Sequence, residues 1–81
     1  MVRCLEVHFT GRHNSDSAKM MASDLLPHIV RFHEGRIMTR KVSDYPNVLT
    51  RALFSDDDNA ILFRTDVAMV LRNVKVKEVQ V

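Results

Sequence analysis

Arginine is concentrated between His28 and Val42, where the chain reads HIVRFHEGRIMTRKV. This stretch places four cations against the single acid Glu34; they are Arg31, Arg36, Arg40 and Lys41. The arginine guanidinium is planar and donates hydrogen bonds in a fork that matches phosphate or carboxylate oxygens. Apolar residues are interspersed among the cations, so we expect an ordered backbone to hold these charges. The pattern favours contact with a polyanion, and nucleic acid is the first candidate.

A second pair of residues that can contact a phosphate lies in the loop GRHNS, residues 11–15. The loop joins a predicted strand to a predicted helix, and the first turn of a helix offers free N–H groups to an anion. The glycine patterns GxGxxG and GxxxxGK[ST] are both absent from the sequence. We therefore predict that Arg12 and His13 contact nucleic acid, and we predict no nucleotide cofactor.

The histidines and acids do not form a catalytic or metal-binding pattern. His8 and His13 are five positions apart, as are His28 and His33, so neither pair shares one face of a helix. Cys4 is the only cysteine, and it is a predicted core residue rather than a zinc ligand or nucleophile. The acidic run at 56–59 lacks the alternating ligands of a calcium loop and is predicted to be a solvated turn. We expect no metal, no cofactor and no enzymatic activity.

Composition indicates one small domain that spans residues 1–81. With 81 residues and 46% apolar side chains, the chain is long enough for one modest core. The single cysteine excludes an internal disulfide, and the N-terminus lacks the apolar segment of a signal peptide. No apolar run approaches the ~20 residues of a membrane span. We therefore expect a cytoplasmic protein that makes no contact with a membrane.

Charge is unevenly distributed along the chain. Residues 1–42 contain seven Lys or Arg and four Asp or Glu, a balance of +3, whereas residues 43–81 contain five and six, a balance of −1. Arginine outnumbers lysine by eight to four. This excess favours recognition of phosphate or carboxylate over simple solubility.

The first half of the chain predicts a strand followed by a long helix. Leu5, Val7 and Phe9 alternate with polar residues over 2–10, and apolar residues on the other face predict a central strand. From Ser15 onward, apolar residues recur at spacings of three or four: Ala18, Met21, Leu25, Ile29 and Phe32. Pro27 predicts a kink or a break, and Gly35 is predicted to end the helix in a left-handed conformation. The alternative makes residues 28–32 and 36–42 a hairpin, which would give a βαββαβ, ferredoxin-like order.

The second half predicts shorter elements. These are a strand at 36–42, a short helix capped by Ser43 or Asp44 and ending near Ser55, a strand at 60–64, a helix from Thr65 to Asn73 and an edge strand at 74–81 with a bulge or a bend before Val79. The predicted fold class is therefore α/β or α+β, with about four strands, three helices and a mixed sheet on which the helices pack. The predicted core comprises Leu5, Phe9, Leu25, Ile61 and Phe63.

These features predict a small, basic, non-catalytic regulatory protein that binds nucleic acid, with RNA favoured over DNA. Aromatic residues are few, so phosphates rather than stacked bases should provide the contacts. The alternative is a protein-binding inhibitor or adaptor whose basic face docks on an acidic or nucleic-acid-binding surface, of the kind that bacteriophages direct against host nucleases, toxins or defence proteins. We also expect a homodimer through the exposed edge of the last strand.

Overall fold

The structure, a computed structural model, describes residues 2–11, 16–38 and 48–80. Its elements, in chain order, are β1 (Arg3–Phe9), α1 (Asp16–Phe32), β2 (Arg36–Ile37), β3 (Val48–Phe54), α2 (Asp57–Val70) and β4 (Val74–Val79).

The four strands form one antiparallel sheet in the order β2-β3-β1-β4. The α+β class is confirmed, and so are the central position of β1 and the edge position of β4. This element order and strand order define the split βαβ, or ferredoxin-like, arrangement. The predicted mixed sheet is wrong, because each described pairing joins antiparallel neighbours. The described part of the chain has two helices, and the prediction of three is wrong.

Both helices pack on the same face of the sheet. Leu5 and Val7 of β1 share this face with Ala52 and Phe54 of β3, because residues directly opposite in neighbouring strands project to the same side. The helices complete the core with six buried residues: Ala22, Leu26 and Val30 from α1, and Ala60, Phe63 and Val67 from α2. The rings of Phe54 and Phe63 lie 4.9 Å apart between centroids and join the sheet to α2.

Helix α1 carries two apolar stripes, and the predicted stripe is not the one that the sheet buries. Met21, Leu25 and Phe32 from the predicted stripe are 63%, 37% and 79% exposed. The buried stripe lies one position further along the chain. Both stripes have helical spacing, so periodicity alone does not distinguish them. The stripe that packs against the sheet has smaller or branched side chains, and the larger side chains of the other stripe are exposed to solvent.

Helix α1 continues through Pro27 without interruption as far as Phe32. The predicted break at Pro27 and the alternative strand at 28–32 are therefore wrong. Proline removes one helical N–H donor and crowds the preceding turn. The packing of a 17-residue helix against the sheet outweighs that cost.

A Schellman motif ends α1. The N–H of Gly35 donates to the carbonyl of Val30 at 2.8 Å, and the N–H of Glu34 donates to the carbonyl of Arg31 at 3.0 Å. The left-handed residue is Glu34, with φ of 60°, and not Gly35 as predicted. Gly35 is needed for space instead, because a Cβ there would lie 2.5 Å from the ring of Phe54.

The elements after residue 47 differ most from the prediction. The short helix predicted to end near Ser55 is wrong from Val48 onward, where the chain forms strand β3 and Thr50, Ala52 and Phe54 are buried at a period of two. The predicted start of that helix lies outside the described residues. Asp56 caps α2, because its side chain accepts a hydrogen bond from the N–H of Asp58 at 2.8 Å. The predicted acidic turn and the predicted strand at 60–64 are therefore wrong. The helix predicted from Thr65 is the second half of a longer helix that ends at Val70. The acids lie at the positive end of one continuous helix.

The bulge lies in a different pairing from the one predicted. β4 pairs with β1 in a continuous register from Val74 to Val79, so the predicted slip before Val79 is wrong. The register shift occurs between Val7 and His8 of β1, where the pairing with β3 passes over Leu49.

The core assignment predicts different effects for two apolar residues of α2. Phe63 is fully buried, whereas Ile61, a predicted core residue, is 54% exposed. Phe63→Ala should lower the free energy of unfolding by about 3–5 kcal/mol, which is most of the stability of a small domain. Ile61→Ala should change it by less than about 1 kcal/mol. Chemical denaturation followed by circular dichroism measures both, and equal losses would contradict the assignment.

The structure at the end of α1 predicts that substitutions at Gly35 and Glu34 differ in their effect on stability. Gly35→Ala should lower the free energy of unfolding by about 1–3 kcal/mol, because the Phe54 ring must move to accommodate the Cβ. Glu34→Gly should cost much less, because glycine adopts the left-handed conformation without strain. Thermal melts compare the two variants. A Gly35→Ala protein that melts at or above the wild-type temperature would show that the space beside Phe54 is not limiting.

Candidate nucleic-acid interface

The structure describes two of the six predicted contact residues. Arg31 lies in the last turn of α1 and Arg36 begins β2, and both are exposed. The other four residues, Arg12, His13, Arg40 and Lys41, lie outside the described residues.

Arg31 and Arg36 belong to different layers of the molecule. Arg31 is part of the helical layer. Arg36 stands directly opposite Leu53 of β3, which in turn stands opposite Cys4 of β1. These three side chains therefore share the sheet face that the helices do not cover. Arg36 therefore shares this face with cations from other strands.

The sheet face opposite the helices carries four cations and one acid among the described strand residues. We call it the basic face; its charged residues are Arg36, Arg51, Lys75 and Lys77 against Glu6. Arg51 and Lys77 flank Glu6 from the two neighbouring strands, and Lys75 stands opposite His8. The antiparallel register thus collects charges that are far apart in the sequence.

Glu6, at the centre of the basic face, is buried and paired. Arg51 donates to Glu6 Oε2 through Nε at 2.7 Å and also through Nη2. His8 Nε2 lies 2.9 Å from Glu6 Oε1. The Glu6 side chain is only 8% exposed, so it depends on these partners in place of water. The Arg51 charge is therefore engaged within the fold.

The other three cations of the basic face are free to meet a ligand. Arg36, Lys75 and Lys77 are exposed, and no ion pair engages them within the described part of the chain. Lys75 and Lys77 lie on the edge strand β4, and Arg36 lies on β2 at the opposite edge of the sheet. The available positive charge thus lies at the two edges of the face.

The middle of the basic face is covered, and no Phe, Tyr or Trp lies on it among the described residues. Cys4 is only 1% exposed although the helices lie on the other side of the sheet. The sulfur of Met38 approaches its thiol at 4.0 Å. The described phenylalanines lie elsewhere: Phe9, Phe54 and Phe63 are in the core and Phe32 is on α1, while the imidazole of His8 is engaged by Glu6. Base stacking therefore has no platform in this part of the chain, and phosphate contact is the available mode.

Charge separates between the two layers of the domain. The basic face holds four bases and one acid, whereas α1 and α2 together contain three bases and five acids. Among the described residues, the sheet side is therefore the more positive of the two layers.

Other paired polar groups connect elements of the fold. His33 Nε2 lies 2.9 Å from Asp66 Oδ2 and joins the end of α1 to α2. Arg3 donates to both carboxylate oxygens of Glu78. These hydrogen bonds hold the pKa of Glu78 below its usual range. Within residues 2–11, 16–38 and 48–80, no three His, Cys, Asp or Glu side chains gather as metal ligands.

Sequence analysis missed Arg51, Lys75 and Lys77 as members of one surface. The alternation of Lys75 and Lys77 with valines shows in the sequence that the two lysines share one side of a strand, but not which other cations share that side. The information that was lacking is the strand order, which places β4 and β3 on either side of β1.

Comparison with protein-family models, curated proteins and solved structures gives no match to this chain. Neither described helix is long and apolar enough to cross a bilayer. The geometry of the two layers is therefore the basis for assigning a function.

The ion pair between Glu6 and Arg51 predicts that Arg51 contributes to the stability of the fold and that Lys77 does not. Arg51→Met should lower the free energy of unfolding by about 2–3 kcal/mol, because Glu6 stays buried without its main partner. Lys77→Met removes an exposed cation on the other side of Glu6 and should cost less than about 0.5 kcal/mol. Chemical denaturation at neutral pH measures both losses.

A double-mutant cycle tests whether the Arg51 effect passes through Glu6. In a Glu6→Gln background, Arg51→Met should cost much less than in the wild type, because the uncompensated charge is gone. Strict additivity of the two losses would contradict the pairing.

Proposed function

We propose that this protein is a non-catalytic regulatory protein that binds the sugar–phosphate backbone of nucleic acid, preferably RNA, through the basic face. The observation that carries the proposal is the separation of charge between the layers. Four bases and one acid lie on the sheet face, and acids predominate in the helices. We place this activity in the cytoplasm.

Three exposed cations provide the primary contacts in this proposal. Arg36 can bind a phosphate through two N–H groups, and Lys75 and Lys77 provide mobile point charges two positions apart along β4. Exposed side chains on the edge strands of the sheet are accessible to a nucleic-acid strand that lies across the sheet. Such contacts bind the backbone without reading its sequence.

The preference for RNA rests on an analogy at the level of the fold. RNA-recognition domains with a four-stranded sheet and two helices use the sheet face that the helices leave open. The corresponding face is basic in this molecule. Because no Phe, Tyr or Trp lies on it among the described residues, backbone shape and 2′-hydroxyl groups replace stacked bases as the recognised features.

A protein-binding inhibitor or adaptor is the second candidate. The missing stacking platform favours it, because exposed cations around a neutral centre also suit an acidic protein surface. In this case the basic face would bind a protein that itself carries carboxylates in place of phosphates.

Salt-dependent binding tests the first candidate. Fluorescence anisotropy with labelled single-stranded RNA and with duplex DNA should show binding that weakens steeply as salt rises. Lys75→Ala/Lys77→Ala should flatten the plot of log K against log salt for single-stranded RNA by about 1.4, at about 0.7 per lost phosphate contact.

A charge-matched variant provides the control. Lys19→Ala/Arg72→Ala removes the same net charge from outside the basic face, and it should leave the salt slope near that of the wild type. If wild-type protein binds neither nucleic acid at low salt, the first candidate is wrong. Binding of an acidic protein through Lys75 and Lys77 would then support the second.

A further inference from the structure

The helical layer exposes large apolar side chains on its outer surface. Phe32 is 79% exposed and Met69 is 81% exposed, which is unusual for side chains of this size on helices that also supply the core. We call the following residues the helical apolar surface: Met21, Leu25 and Phe32 from α1, with Leu62, Met69 and Val70 from α2.

These residues form one surface and not two separate patches. Met21 and Val70 line the same groove of about 450 Å³ between the two helices. At the other end of α1, Phe32 precedes His33, whose imidazole contacts Asp66 of α2. Leu62 and Met69 lie one turn on either side of Asp66 and share its side of the helix. The apolar surface therefore continues across both helices.

The exposed residues of α1 follow the repeat of a helix–helix seam. Met21, Leu25, His28 and Phe32 are separated by four, three and four positions, which is the spacing of the contact positions in a coiled coil. All four are exposed. Asp24 and Arg31 are seven positions apart and flank the seam on one side, with the acid at the middle of the helix and the base in its last turn.

We propose that the helical apolar surface binds a second copy of this chain, with the two α1 helices packed antiparallel around a two-fold axis. An antiparallel pairing brings Asp24 of each copy toward Arg31 of the other. A parallel pairing would leave Asp24 of one copy seven positions away along the helix from Arg31 of the other. The antiparallel pairing also sets Met21 against Phe32 and Leu25 against His28 across the axis. The surface is thus complementary to itself, as a two-fold interface requires.

The size of the helical apolar surface fits a second copy of the chain better than it fits a small ligand. Aromatic side chains bury about 150–250 Å² each, and a standard interface buries about 800 Å² per partner. Six exposed apolar side chains can form the core of such an interface. The edge of β4, where we had expected pairing, is less suitable because it carries Lys75 and Lys77. In addition, Arg64 donates to the β4 carbonyl of Val76 at 3.2 Å.

Sedimentation and light scattering of the full chain test the dimer in the absence of nucleic acid. Wild-type protein should be a dimer at micromolar to submillimolar concentration. Phe32→Ser should raise the dissociation constant about a hundredfold, because it removes an aromatic anchor of the seam. It should fold normally, since the ring is 79% exposed. Circular dichroism checks this.

An exposed apolar residue outside the seam provides the matched control. Ile61 is 54% exposed and lies about 100° around α2 from Leu62, away from α1. Ile61→Ser should leave the dissociation constant unchanged. A monomeric wild type at every concentration, or a Phe32→Ser protein that dimerises as the wild type does, would overturn the proposal.

Charge reversal identifies the occupant as a second copy in the antiparallel orientation. Asp24→Arg and Arg31→Asp should each weaken self-association about tenfold, because each creates two repulsive pairs in the dimer. An equimolar mixture of these two variants should restore dimers of mixed composition, in which all the pairs are attractive again. If mixing restores no association, the antiparallel pairing is wrong.

Discussion

The arrangement of this domain depends on the burial of β1 on both of its faces. Cys4, Leu5, Glu6 and Val7 are all buried, and strands pair with β1 along both edges. A carboxylate in such a strand is stable only with partners, and Arg51 of β3 is the main partner of Glu6. This pair joins the two central strands and makes the middle of the basic face nearly neutral. The cations that remain available are therefore those of the outer strands.

The sequence predicted the features that depend on a strong local pattern. The alternation around Leu5 and the apolar residues on both faces predicted a central strand, which is confirmed. Periodicity does not show which of the two stripes of α1 is buried, because the stripe that contains Phe32 has helical spacing just as the buried stripe does. In β3, apolar residues at 48, 49, 52 and 53 match helical spacing. The true period of two includes Thr50, a polar residue that only the tertiary structure buries.

The start of α2 could have been found from the sequence, whereas the basic face could not. Asp56 followed by two further acids and an apolar run is a helix N-terminus signature, since a capping carboxylate and acids in the first turn favour the positive end of a helix. The basic face requires the register of three pairings. The spacing of Lys75 and Lys77 shows that they share a side of β4, but nothing local indicates that Arg36 and Arg51 share it too.

The two layers present chemically different surfaces, and their proposed interactions respond differently to salt. Apolar association is not weakened by salt, and strongly hydrated anions such as sulfate strengthen it, whereas phosphate binding weakens as counterions compete. A dimer joined through its helices would hold two basic faces on its outer sides. With three exposed cations each among the described residues, these faces are individually weak. Two weak faces held together bind a long polyanion more tightly than either alone, because the second contact becomes intramolecular. Dimerisation through one layer would therefore set the strength of binding through the other.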